Sequence, residues 1–169
     1  MLVGPTLRHV TCCLTGHRNL VIEERARLPL QLRRAITRMA AREGVERFLC
    51  GGARGFDLLA AQAVLQMKCV HTQLRLVMYL PCPNQTRGWQ AADVRRYHAV
   101  LQAADEVHML APAYTADCML ARNRRMVEDS AFCLAYCRGA TGGTAYTLRY
   151  AQTCGLRVNN LAARPCLDG

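Results

Sequence analysis

Residues 46–69, ERFLCGGARGFDLLAAQAVLQMKC, decide how the rest of the chain is read. A short apolar run, Glu46–Cys50, meets a loop holding Gly51, Gly52 and Gly55, and a helix-like run over Phe56–Cys69 follows. Strand, glycine loop and helix in that order make half of a parallel crossover, because a parallel neighbour requires the chain to travel back along the sheet. The loop has two readings. It is a phosphate cradle built on free backbone N–H groups at a helix start, or a tight turn that lets a strand meet a helix.

The same alternation extends in both directions. His9–Leu14 (HVTCCL) reads as a strand ending in Thr15-Gly16-His17-Arg18. A helix over Glu23–Arg42 follows from Leu28, Leu32, Ala35, Ile36 and Met39, which recur at three and four residues. Pro29 falls inside that pattern and predicts that the regular helix starts near it; Gly44 marks the stop. Downstream, strands are expected at Gln73–Leu80, Glu106–Leu110, Ala131–Cys137 and Leu156–Leu161, and helices at Gly88–Ala104, Asp117–Asp129 and Ala145–Thr153. Ala131–Cys137 (AFCLAYC) is apolar nearly throughout, as befits a strand covered on both faces. Together these elements predict an α/β fold, a mostly parallel sheet with helices on both sides. With 169 residues and neither repeat nor linker, one domain over 1–169 is expected, its ends 1–7 and 163–169 loosely ordered.

Composition narrows the class. The net charge is +10, and of the 22 basic residues only Lys68 is a lysine. Such a balance points to anionic partners or to a general preference for arginine over lysine. None of the 10 cysteines forms a CxxC pair, so no zinc or redox site is expected, and no cofactor is singled out. Arg8 and His9 interrupt the early apolar stretch that a signal peptide would need. No run approaches the roughly 18 apolar residues of a membrane span. A reduced, cytoplasmic protein is the expectation, with a homo-oligomer left open.

Parallel sheets bind ligands beyond the carboxyl ends of their strands, so function is sought there. After the first strand, Thr15 offers a hydroxyl, Gly16 close backbone approach, and Arg18 a bidentate grip on phosphate. After the second come Gly51, Gly52, Arg54 and Asp57; Asp57 can cap the helix, accept a ribose hydroxyl or act as a general base. Beyond the third, Trp89 either stacks on a base or packs into the core. Ahead of the fifth, Arg122 and Asn123 lie on a helix and are read as a ligand contact or as a solvated basic face. After the fifth, Gly142, Gly143 and Thr144 open a helix and form a second candidate phosphate cradle.

Taken in order, TGHR, GGARGFDLLAA, QAADEVHML, RNRRMVEDSAFCLAYC and GGTAYTLRYA resemble the YpsA/YspA-like members of the SLOG superfamily, which joins DNA-processing protein A and the LOG-type cytokinin-activating hydrolases. The resemblance runs over residues 9–161. It implies a Rossmann-like three-layer sandwich with a nucleotide or nucleic-acid pocket at Gly16, Arg18, Gly51, Gly52, Asp57, Arg122, Asn123, Gly142, Gly143 and Thr144. One departure matters. LOG-type hydrolases carry PGGxGTxxE, whereas Gly142-Gly143-Thr144 is followed by Ala145, Tyr146 and Thr147. Threonine then stands where the catalytic glutamate is expected, which leaves Asp57 or Asp129 as the candidate carboxylate.

Three functions follow from the sequence. The first is binding or sensing of a nucleotide-derived phosphorylated ligand. The second is N-glycosidic hydrolysis of a nucleotide with Asp57 as the catalytic carboxylate. The third is single-stranded nucleic-acid binding, suggested by the charge although the aromatics do not interleave with the arginines.

Overall fold

The computed structural model describes residues 5–162. The elements in chain order are α1 (Pro5–Arg8), β1 (Thr11–Gly16), α2 (Ile22–Glu43), β2 (Arg47–Cys50), α3 (Phe56–Met67), β3 (Arg75–Leu80), α4 (Ala91–Ala103), β4 (Glu106–Met109), α5 (Cys118–Glu128), β5 (Phe132–Tyr136), α6 (Gly142–Thr153) and β6 (Arg157–Asn160). Six strands form one sheet in the order β4-β3-β2-β1-β5-β6. Every pairing is parallel.

Side chains alternate across the sheet, because successive residues of a strand point to opposite faces. Cys12, Leu14, Phe48, Cys50, Leu76, Met78, Leu134 and Tyr136 pack with α2, α3 and α4. Cys13, Leu49, Val77, Tyr79, Cys133 and Ala135 pack with α5 and α6. The result is the Rossmann-like three-layer sandwich that the sequence implied. β5 is buried at all five positions, while the edge strand β4 alternates between half-buried and exposed.

The chain builds the sheet outward from β1 to β4, then returns to place β5 on the other side of β1. The loops after β1 and β5 therefore leave in opposite directions and open a crevice between them. The loop after β2 is drawn to the same place. Phe56 N–H donates to the His17 carbonyl at 3.1 Å, and Gly55 sits at φ +76° with its α-carbon against the carbonyls of His17 and Arg18. Only glycine fits there, since a Cβ would overlap backbone that cannot move.

Several boundaries differ from expectation by a few residues. Pro29 does not begin the regular helix: α2 starts at Ile22, where Glu24 accepts the Val21 N–H at 3.0 Å. Interior proline costs about 3 kcal/mol, but Leu28, Leu32 and Ile36 are fully buried and each contributes about 1.5–3 kcal/mol. Core packing therefore carries the helix through the proline. The helix after β5 begins at Gly142 rather than Ala145. Of the ends expected to be loose, Pro5–Arg8 is helical; residues 1–4 and 163–169 lie outside the described residues. No described helix is long and apolar enough to cross a membrane.

Candidate functional site

A cleft of about 380 Å³ opens at the carboxyl ends of β1, β2 and β5. Thr15, Gly16 and Arg18 line it from the first loop, Ala53 and Asp57 from the second, Arg122 and Asn123 from α5, and Gly143 and Thr144 from α6. Thr15, Gly16, Arg18, Asp57, Arg122, Asn123, Gly143 and Thr144 were singled out in the sequence, and the fold brings them together.

Four other candidates stand apart from the lining. Gly51 lies under the Arg122 guanidinium, and a Cβ at Gly51 would overlap it. Gly52 faces Met78, Tyr97 and Gln85; its carbonyl and that of Gly51 accept from Gln85 Nε2 at 2.8 and 3.0 Å. The Arg54 guanidinium lies 5.9 Å from the centre of the Trp89 ring, and Trp89 itself packs edge-on against Tyr97. Gly142 is the first residue of α6, one position short of the cleft. Gly51 packs beneath Arg122 and Gly52 beside Gln85, both outside the lining of the cleft. Ala53 is the lining residue the sequence missed. Its only signal is its place inside the GGARG loop.

Arg122 is the unusual group. It is 3% exposed, and Nε donates to Asn123 Oδ1 at 2.7 Å. Its Nη1 has no partner. Burial lowers its pKa, opposed by the nearby Asp57 carboxylate. Asp57 does not cap a helix N–H; its Oδ2 accepts from Ala53 N–H at 3.2 Å and closes the loop. Burial pushes the Asp57 carboxyl up to about 6, with Arg122, the Ala53 N–H and Arg18 pulling the other way.

The helix side is held by a relay. Asn123 Nδ2 donates to Thr147 Oγ1 at 3.0 Å, and Thr147 Oγ1 donates to the Gly143 carbonyl at 2.9 Å. Thr147, in the place of the LOG-type glutamate, is 3% exposed and serves to join α5 to α6. The N-cap residue of α6, Thr141, makes no side-chain cap, so the first-turn N–H groups at Gly143 and Thr144 are left to face the cleft with the positive end of the helix dipole. Asp129, the other candidate carboxylate, lies away from the cleft under Tyr79 and Arg125, at 2.9 and 3.2 Å.

Two neighbours complete the surroundings. Arg122 also lines a larger cavity of about 610 Å³ with Pro81, Met109, Leu110 and Arg125. Beside the cleft, Glu24 Oε1 accepts from Tyr136 Oη at 2.6 Å and pairs with Arg138 Nη1 at 3.1 Å. Arg27 donates to the Tyr136 oxygen at 2.8 Å.

A model of the YspA SLOG family matches residues 12–160. A UPF0398 protein of Halalkalibacterium halodurans is 33% identical over 113 residues, covering 65% of this chain and 60% of that protein. The chain thus spans less than two thirds of that relative. An SPbeta prophage-derived protein of Bacillus subtilis is 26% identical over 129 residues, covering 69% and 75% of the two chains. Two solved structures of DNA processing protein A share the fold. The Helicobacter pylori structure, described for its single-stranded DNA binding mode, superposes with a TM-score of 0.65 at 16% identity over 97% of this chain and 71% of that one. The Streptococcus pneumoniae structure gives 0.65 and 16% over 96% and 53%.

Proposed function

Since the chain belongs to the YspA SLOG family, we propose that it binds a nucleotide-derived phosphorylated ligand in the cleft between β1 and β5. The observation that carries the reading is Arg122, a buried guanidinium with one nitrogen unpartnered. A buried donor left without a partner costs about 1–3 kcal/mol, more when charged. That cost is recovered when an anion enters. Arg18 and the first-turn N–H groups of α6 supply the remaining donors. Asp57, in the same cleft lining, would accept a ribose hydroxyl.

Calorimetric titration with ADP-ribose, NAD and nucleoside phosphates tests this. At least one is expected to bind, and Arg18→Ala is expected to weaken it about tenfold, the worth of one charge-assisted hydrogen bond. Absence of binding by the whole panel at millimolar concentration overturns the proposal.

A second reading rests on Asp57. A carboxyl held near 6 inside a cleft is matched to proton transfer at neutral pH. In this reading Asp57 serves hydrolysis of an N-glycosidic bond, activating the water that attacks the ribose carbon as the base departs. Release of free base from nucleoside monophosphates, lost in Asp57→Ala, supports it; no release with the unaltered protein removes it.

A further inference from the structure

We infer that the exposed arginine face of α2 docks the phosphodiester backbone of nucleic acid without reading its sequence. This takes up the nucleic-acid reading of the sequence, gives it a surface, and does not depend on any ligand in the cleft. Arg33, Arg34, Arg38 and Arg42 border a shallow groove of about 580 Å³ floored by Thr37 and Ala41. All four arginines are exposed. Among the described residues none of them makes an ion pair or a side-chain hydrogen bond, and the nearest acid along the helix, Glu43, is engaged with Arg157 at 3.4 Å.

Arg34, Arg38 and Arg42 are four residues apart, so they stand in one row with about 6 Å between successive turns. Like charges at that spacing repel on a helix. A fold that needed only solubility would be served as well by alternating signs. A polyanion laid along the row relieves the repulsion and releases its own counterions.

The chemistry of the face selects among polyanionic partners. The groove is lined by no aromatic or large apolar side chain that would anchor a protein partner. Leu32, Ile36 and Met39 in this half of α2 are buried in the core, and Leu30, one turn before Arg34, is the one large apolar side chain exposed near the row, too little to hold a helix in a bilayer. Without aromatics there is no stacking platform either, and contact falls on phosphates alone.

The test is fluorescence anisotropy with a labelled oligothymidylate, a mixed-sequence single strand and a duplex, from about 50 to 200 mM salt. Four phosphate contacts predict a slope of about −3 in log K against log salt for single strands, roughly a fiftyfold loss over that range. The two single strands are expected to bind alike. Arg34→Gln/Arg38→Gln/Arg42→Gln should reduce the slope to about −1 with the thermal midpoint unchanged, and the matching lysine triple should restore it. Arg18→Ala, in the cleft, should leave the slope as it was.

The inference is overturned if the oligonucleotides do not bind at the lowest salt, or if the glutamine triple keeps the full slope. It is also overturned if Arg18→Ala abolishes binding, which puts the strand in the cleft, or if phosphatidylserine vesicles bind and oligonucleotides do not.

Discussion

Glu24 and Arg122 are both charged side chains taken almost wholly out of water, 4% and 3% exposed, and both stand near the carboxyl ends of β1 and β5. Around Glu24 both oxygens are engaged, by Tyr136, Arg138 and the Val21 N–H. Burial pushes its pKa up, the Tyr136 hydroxyl, the Val21 N–H and two arginines outweigh that, and the net shift is downward. Around Arg122 one nitrogen has no partner and the nearest counter-charge, Asp57, is itself pushed toward neutrality. The satisfied system ties β5 to α2. The unsatisfied one lines the cleft, where an entering anion would supply the partner its nitrogen lacks.

The largest effect that separates the two is on pH-dependent stability. Asp57 has a raised pKa, so its contribution is fully present below about 3.8 and is lost as pH rises through about 6. Asp57→Asn should therefore be more stable than the unaltered protein above pH 6, by up to roughly 3 kcal/mol, and equal to it near pH 3.5. Urea denaturation of the two proteins over that range checks it; a difference that does not vary with pH breaks the comparison.

Glu24 should behave in the opposite sense. Its lowered pKa gives stability that is present above about 4.5 and lost as pH falls through the depressed value. Glu24→Ala should cost about 2 kcal/mol at pH 7, since Tyr136 Oη and the Val21 N–H lose their acceptor while half-exposed Arg138 turns to water. The cost should shrink in acid, and thermal melts at pH 7 and pH 3.5 measure both.

A smaller effect sharpens the helix side of the cleft. Thr147→Val keeps the shape and removes both hydrogen bonds of the relay, with an expected cost of about 1–2 kcal/mol. Because it frees Asn123 and Gly143, it should also weaken ligand binding without touching the ligand. Smallest is Tyr136→Phe, which leaves Arg27 exposed to water but deprives Glu24 of one of three donors, about 1 kcal/mol.

The fold was legible because strand and helix signals agreed with one another. AFCLAYC reads as a strand covered on both faces, and β5, paired with β1 and β6, is buried throughout. The site was legible at the level of loops, since topology alone sends the ends of β1, β2 and β5 to one place. It was not legible at the level of atoms. In the sequence Gly51 belongs to a loop that reads as a phosphate cradle or a tight turn; that it packs under Arg122, on a helix 71 residues downstream, no local pattern reports. Glu24 gave no sign either, because the usual N-cap residue is missing and Val21 stands in its place. Pro29 misled for a different reason: a local rule lost to a long-range apolar face.

Gly51 and Arg122 fit as a hole and a bump, and that makes the cleft open to redesign. Filling the hole and shrinking the bump together, as in Gly51→Ala with Arg122→Ala, would exchange a buried cation for a small apolar floor while the strands stay in register. If the proposed ligand is an anion, a protein altered in that way would lose it and become a matched receptor for uncharged analogues.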